Sequence, residues 1–147
     1  MAFDIVVGYD GSDGANAALD EALRLAGLVA GRVLVTYAYG GPRTYSGAPL
    51  TPRHVLKDLG EGLLKDARDR VSGSTVRLET VLVDDNAVDG LLAVAQQHGA
   101  ELIVVGTHGE SPIRGALLGS TAYKLVHSTT RPILVVPEPK RAREAAA

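Results

Sequence analysis

The chain contains no cysteine. Disulfides, thiolate nucleophiles, cysteine-ligated zinc and iron–sulfur clusters are therefore excluded. The chain also has no excess of basic charge, since 15 Lys and Arg residues stand against 17 Asp and Glu residues and give a formal net charge of −2. This balance provides no general attraction to nucleic acid or to an anionic membrane surface, so neither is expected as a partner.

Long hydrophobic runs are missing as well. No apolar segment approaches the roughly 20 residues that span a membrane. The N-terminus enters the strand-like run FDIVVGY without the basic segment and cleavage site of a secretory signal, so we expect a cytoplasmic location. The length of 147 residues fits one domain, which we place at 1–139, and the basic, alanine-ended segment 140–147 is predicted to be a flexible tail.

Short β-branched runs alternate with longer segments of helical period, which indicates βα units around a parallel sheet. The predicted strands are 3–9, 32–39, 75–83, 101–107 and 131–137. Apolar stripes predict four helices: Ala15, Leu19, Ala22, Leu23 and Ala26; Val55, Leu59, Leu63 and Ala67; Val88, Leu91, Leu92 and Ala95; and Leu118, Ala122, Leu125 and Val126. The last helix is predicted to begin just after Gly115. The runs IVV, LIVV and ILVV are typical of strands covered by helices on both faces.

These elements predict an α/β fold with a single doubly wound, five-stranded parallel sheet and helices on both faces. The strand order is either 2-1-3-4-5 or 3-2-1-4-5. In the second order, strands one and four are neighbours, and their carboxyl ends flank the crevice in which such sheets bind ligands. Asp10 and Gly106 would then face each other.

The segment GTHGESPIRGALLGST, residues 106–121, is rich in glycine and hydroxyl residues where strand four passes into helix four. Glycine permits positive φ angles and close approach of a ligand to backbone N–H groups, and a helix N-terminus adds unpaired donors. These features suit a polyphosphate. The alternative is a tight turn with glycines at helix packing contacts. The segment matches neither the Walker A loop nor the dinucleotide fingerprint.

Gly106, Gly109, Gly119 and Ser120 follow the spacing G-x2-G-x9-G-[ST], by which the chain resembles the ATP-binding members of the universal stress protein family. The opening VVGYDGSDGANAAL and the closing RPILVVP are similar to that family as well. The resemblance covers nearly the whole chain except 40–53 and favours the order 3-2-1-4-5. The resemblance implies that the protein is a regulatory switch of the stress response that binds ATP and acts on an unidentified protein partner. It also implies that the nucleotide carries Mg²⁺ or Mn²⁺.

The resemblance also implies contacts of individual residues with an adenine nucleotide. Asp10 matches the acidic residue that contacts ribose or a phosphate-bound metal ion, and its alternative role is to cap the first helix. The backbone near Tyr37 and Ala38 matches the stretch that holds adenine. The phosphate and ribose contacts fall on Gly106, Gly109, Gly119 and Ser120, with an added backbone N–H from Thr121.

Two residues depart from the usual phosphate loop. Glu110 places a carboxylate near the expected phosphates, and Pro112 removes one N–H donor. Arg114 is a candidate phosphate contact that would offset Glu110. His108 lies in the same loop, where it is either a donor to phosphate or an ordinary solvent-facing residue.

The apolar last strand, 131–137, favours pairing with a second chain, and the resemblance implies a homodimer through it.

In the switch implied by the resemblance, nucleotide occupancy orders the loop 40–53. Two alternatives stay open. One is a slow ATPase or self-phosphorylating enzyme, with Asp10 on the metal and Ser111 or Ser120 as acceptor. The other is an interaction module of the same fold that binds no nucleotide. The neighbouring Asp84 and Asp85 are interpreted as capping residues, with Asn86, rather than as an acid–base pair.

Overall fold

The computed structural model describes residues 2–40, 46–47, 50–108 and 118–139. Within these ranges strands and helices alternate along the chain. They are β1 (Asp4–Gly8), α1 (Asp13–Val29), β2 (Arg32–Ala38), α2 (Arg53–Arg70), β3 (Arg77–Val83), α3 (Ala87–His98), β4 (Leu102–Gly106), α4 (Ser120–Ser128) and β5 (Ile133–Val136). None of these helices is long and apolar enough to cross a membrane. The tail 140–147 and half of the loop 40–53, namely 41–45 and 48–49, lie outside the described residues.

The five strands form one parallel sheet in the order β3-β2-β1-β4-β5, which confirms the predicted fold class and the favoured strand order. Side chains of α1 and α2 pack on one face of the sheet, and those of α3 and α4 pack on the other. Because parallel strands joined by crossover helices all run the same way, their carboxyl ends meet at one edge of the sheet. We call this the carboxyl edge.

The central strand β1 is buried on both faces. Ile5 and Val7 pack beneath α1 and α2, whereas Val6 packs with α3 and α4. All three side chains are fully buried, as the continuous apolar run predicts. Odd-numbered and even-numbered side chains of β1 therefore lie on opposite faces of the sheet. Gly8 lies on the same face as Val6, the face that α3 covers.

An ion-pair network fixes the strand starts at the opposite edge. Arg32 of β2 donates from Nη2 and Nε to the two carboxylate oxygens of Asp4 in β1, at 2.6 and 3.1 Å, and from Nη1 to Glu79 of β3 at 3.0 Å. The bond to Asp4 raises the pKa of Arg32 above its usual range, so the guanidinium stays charged. Three adjacent strands are thereby held together far from the carboxyl edge.

The predicted stripe of α2 is wrong in its first half. Val55 and Leu59 are exposed, and the buried positions are Gly60, Leu64 and Ala67. Gly60 explains the shift, because a methyl group there would lie within 2.8 Å of both the Tyr37 ring and Leu82. The helix therefore packs on the sheet at a glycine. A search for apolar side chains at helical spacing does not detect such a position.

One further expectation near the C-terminus is wrong. The helix α4 begins at Ser120, with Gly119 as its N-cap, rather than just after Gly115, so Leu118 precedes the helix. The residues of β5 pack against the cores on both faces of the sheet, as their apolar run predicts, but they are only half-buried. β5 lies at the edge of the sheet, with β4 on one side, so part of its apolar surface is left uncovered.

Candidate functional site

A cavity opens at the carboxyl edge, where β1, β2 and β4 end. Its walls are formed by residues of these strands and by the first turns of three helices, namely Gly8, Tyr9, Asp10, Ser12, Ala15, Thr36, Tyr37, Ala38, Ala87, Leu91, Val105, Gly106, His108 and Thr121. Asp10 and Gly106 line the same cavity, as the strand order predicts for neighbouring β1 and β4. Apolar residues form much of the wall, among them Ala38, Leu91 and Val105, and the polar residues include Asp10 before α1, Thr36 in β2 and Thr121 in α4.

Asp10 is held in the turn between β1 and α1. Its Oδ1 accepts hydrogen bonds from the backbone N–H of Ser12 at 3.0 Å and from the Ser12 hydroxyl at 2.5 Å. Ser12, not Asp10, caps α1, since its Oγ accepts from the N–H of Ala15 at 3.1 Å. Gly11 between them has a φ of +81°, a conformation that favours glycine. Asp10 thus supports the cap with one oxygen, and its second oxygen has no partner among the described residues.

Tyr9 anchors the same turn from the other side. Its side chain is buried, and its hydroxyl donates to Oδ1 of Asn16 in α1 at 2.8 Å. Burial raises the pKa of Tyr9, so the phenol stays protonated and able to donate. The turn that carries Asp10 is therefore fixed both at Ser12 and at Asn16.

Gly106 brings the end of β4 against the first turn of α1. A methyl group at Gly106 would lie 2.7 Å from the carbonyl carbon of Gly14 and 2.8 Å from its oxygen. In return, a methyl group at Gly14 would lie 2.6 Å from the carbonyl oxygen of His108. Neither glycine is among the described residues with positive φ, so both are required for close backbone packing. For Gly106 this favours the helix-packing alternative of the sequence, while still placing the residue in the cavity wall.

Gly119 has a similar packing role at the start of α4. Its N–H donates to the carbonyl oxygen of Thr107 at 2.6 Å, and a methyl group on Gly119 would lie 2.8 Å from that oxygen. Its φ of −66° is an ordinary one. The contact sets the beginning of α4 beside the end of β4, so that Thr121 lines the cavity. Ser120 and Thr121 also line a polar groove between the first turns of α3 and α4.

The exit of β2 forms the wall opposite Asp10. Tyr37 and Ala38, the residues matched to adenine binding, both line the cavity. Two backbone bonds hold the chain that follows them against β3, from the N–H of Tyr39 to Val83 at 2.9 Å and from that of Gly40 to Asp85 at 2.8 Å. The backbone at this end of β2 is therefore well fixed.

Several cavity residues were not predicted from the sequence as part of the site. They are Gly8, Thr36, Ala87, Leu91 and Val105. Gly8 and Thr36 are partners in the β1–β2 register, and Leu91 of α3 lies against Gly8. The available signal is positional, because Gly8, Thr36 and Val105 lie near the carboxyl ends of β1, β2 and β4, and Ala87 and Leu91 lie in the first two turns of α3.

Gly109 and Arg114, together with Glu110, Ser111 and Pro112, lie outside the described residues. The capping interpretation of the acidic pair holds only in part. Asn86 is the residue that caps α3, and Asp85 accepts from its N–H at 2.8 Å, whereas Asp84 does not cap the helix and pairs with Arg53 at 2.7 Å. Across the described part of the chain, no group of three or more His, Asp or Glu side chains could hold a metal ion.

Comparison with known proteins agrees over almost the full length. The sequence model described as "Universal stress protein family" matches residues 1–137. The chain is 27% identical to the universal stress protein YxiE of Bacillus subtilis, covering 90% of this chain and 97% of that protein. Among solved structures, a universal stress family protein of Burkholderia pseudomallei superposes with a TM-score of 0.70 at 27% identity, over 91% of this chain and 95% of that one. A universal stress protein solved in complex with cAMP gives a TM-score of 0.71 at 29% identity, over 94% and 98%.

Proposed function

The chain belongs to the universal stress protein family, and we propose that it binds an adenine nucleotide in the cavity at its carboxyl edge. The proposal rests on one observation: a single cavity combines an apolar lining, the carboxylate of Asp10 and the start of α4. A flat base, a hydroxyl-bearing sugar and an anionic phosphate need these three surroundings. The similar protein in complex with cAMP supports the assignment.

The geometry suggests how the nucleotide would lie. The base enters the apolar part beside Ala38 and Leu91, and the ribose lies by the second carboxylate oxygen of Asp10. The phosphates then point toward Gly106 and the backbone N–H groups at the start of α4, where the partial positive charge of a helix N-terminus favours an anion. ATP is the ligand that the glycine spacing favours. Since the described residues hold no cluster of metal ligands, any Mg²⁺ or Mn²⁺ would arrive with the phosphates, and Asp10 is the candidate carboxylate for which this ion and the ribose compete.

Filling the cavity mouth is expected to weaken nucleotide binding without harming the fold. Ala87 is an exposed first residue of α3 and lines the cavity, so Ala87→Phe places a phenyl ring where the nucleotide would enter. We expect the affinity for AMP, cAMP and ATP to fall by roughly tenfold or more, equivalent to about 1.4 kcal/mol. Isothermal titration calorimetry measures the affinities, and the melting temperature of the free protein should stay unchanged.

Ala93→Phe is the matched control, because Ala93 is an exposed residue of the same helix that is not part of the cavity wall. It should bind like the wild type. A wild-type protein that binds none of the three nucleotides, and releases none on heat denaturation, would contradict the proposed function and favour an interaction module. Equal binding by Ala87→Phe and wild type would place the nucleotide elsewhere.

We propose in addition that the protein is a homodimer through β5. Four apolar residues form this edge strand, and all are half-exposed. Since the carbonyl oxygens of Pro132 and Val136 accept bonds from β4, the alternation of a strand turns the peptide groups of Ile133 and Val135 outward. An unpaired apolar edge of this kind pairs readily with its own copy across a two-fold axis.

Sedimentation equilibrium tests the dimer. The wild type should have twice the 15.3 kDa mass of one chain. Val135→Pro removes one outward N–H while leaving the bonds to β4 in place, so it should sediment as a monomer with an unchanged circular dichroism spectrum. A monomeric wild type, or a dimeric folded variant, would count against pairing through β5.

The regulatory role implied by the resemblance depends on both proposals. Tyr37 and Ala38 line the cavity, and the chain leaves β2 directly into the loop 40–53. Nucleotide occupancy at these residues is therefore positioned to act on that loop, and through it on a partner surface. The role stays a prediction.

A further inference from the structure

Thr36 is an unusual residue in the floor of the cavity. The described part of the chain has two buried polar side chains, Asp4 and Thr36, which are 6% and 1% exposed. Asp4 is satisfied by two bonds from Arg32. The hydroxyl of Thr36 makes a single bond, in which it donates to the carbonyl oxygen of Leu34 in its own strand at a long 3.3 Å, and its oxygen accepts no bond from the described residues.

A hydroxyl in this position does little for the fold. A buried polar group without full hydrogen bonding opposes folding, and valine has nearly the same shape and the same preference for strands. Thr36 lies in the middle of the sheet, with Gly8 as its β1 partner and Val81 as its β3 partner. Its side chain is nevertheless part of the cavity wall, on the face of the sheet that α3 covers.

We infer that Thr36 is a specificity-determining residue that recognises the exocyclic amino group of the adenine base. This inference depends on the proposed function, since it assigns a role within the same cavity. Because the hydroxyl donates its proton to Leu34, its oxygen keeps lone pairs that can accept a bond from a ligand in the cavity that Thr36 lines. Around it, Gly8 has no side chain, and the side chains of Ala38, Leu91 and Val105 supply apolar contacts but no hydrogen-bonding atom. An amino group is the donor of the base that matches this acceptor, and a 6-oxo purine offers none there.

The test combines a protein change with a ligand change. Thr36→Val removes the hydroxyl at constant shape, and purine riboside 5′-monophosphate is AMP without the amino group. Calorimetry should show that Thr36→Val weakens AMP binding by roughly three- to tenfold, the effect of one neutral hydrogen bond. Binding of purine riboside monophosphate should change by less than about twofold, because its missing amino group leaves no bond to lose. Thr36→Ser, which keeps the hydroxyl, should retain the preference for AMP.

The outcomes separate this inference from the proposed function. If wild type binds AMP and Thr36→Val binds it equally well, or loses the same factor for both ligands, Thr36 does not recognise the amino group and the inference is overturned. If wild type binds neither ligand, the proposed function fails and the inference fails with it. A melting temperature of free Thr36→Val at or above that of wild type is also expected, whereas a clear decrease would assign the hydroxyl to the fold.

Discussion

Gly106→Ala is expected to destabilise the protein by about 3 kcal/mol, although it adds one methyl group to a residue with an ordinary φ angle. The added carbon would lie 2.7 Å from the backbone of Gly14, and backbone in the first turn of a packed helix does not move aside as a flexible side chain would. Either α1 or the end of β4 must shift. For a chain of this length, we expect the melting temperature to fall by roughly 6–12 °C.

Gly62→Ala provides a control of opposite sign. Gly62 lies in α2, is exposed, and has no atom within 4 Å of a methyl group placed on it. Alanine is a better helix former than glycine, so this variant should be more stable than wild type by roughly 0.5–1 kcal/mol. Denaturant unfolding of both variants measures the two changes. A Gly106→Ala protein as stable as wild type would mean that α1 and β4 are not in backbone contact.

The Gly106 prediction also separates two roles that a glycine motif combines. From the spacing alone, the glycines were predicted to serve phosphate binding through positive φ and exposed N–H groups, or else helix packing. Gly106 and Gly119 have φ angles that other residues could adopt. Glycine is required at both positions because a neighbouring carbonyl group leaves no room for a methyl group. The motif therefore assembles the walls of the cavity, whatever ligand occupies it.

Much of the fold could be predicted because hydrophobic periodicity reports burial directly. β1 and β4 read as continuous apolar runs and are the most deeply buried strands. The cap at Asn86 could be predicted from local backbone chemistry, because asparagine side chains readily bond to the first N–H groups of a helix. The start of α4 was misplaced because the segment before it combines glycine, proline and apolar residues, and an apolar residue such as Leu118 fits a helical stripe without being helical.

The floor of the candidate site was harder to predict. Thr36 is one threonine among the apolar residues of β2, and only the register with Gly8 and the position of α3 show that it meets a cavity. Asp10, in contrast, could be predicted, because an acidic residue directly after a central strand of a parallel sheet lies at the ligand-binding edge. The sequence left open whether Asp10 contacts a ligand or caps α1, and the structure gives the cap to Ser12.

Asp10→Asn is expected to separate ligand binding from the structural role of this residue. Asparagine can accept the same two hydrogen bonds from Ser12 and is equally suited to such a turn, so the melting temperature should stay within about 2 °C of wild type. The variant loses the negative charge of the side chain. It also loses the second carboxylate oxygen, the acceptor that is not bonded to Ser12. Because hydrogen bonds to charged groups contribute about 1.5–3 kcal/mol, we expect nucleotide affinity to fall by roughly 10- to 100-fold.

A comparison of two ligands shows whether the carboxylate of Asp10 binds the ribose or a metal ion. If it accepts hydrogen bonds from ribose hydroxyls, the loss is the same for AMP in the presence of EDTA and for ATP with Mg²⁺. If it binds a metal ion carried by the phosphates, the loss appears with Mg²⁺ and ATP and is absent with AMP. Unchanged affinity for both ligands, together with a lower melting temperature for Asp10→Ala, would leave Asp10 with only its bonds to Ser12 and remove it from the binding site. The ribose outcome is the one we expect, because one carboxylate oxygen is already engaged by Ser12 and a single free oxygen suits a sugar hydroxyl better than a metal ion that demands several ligands.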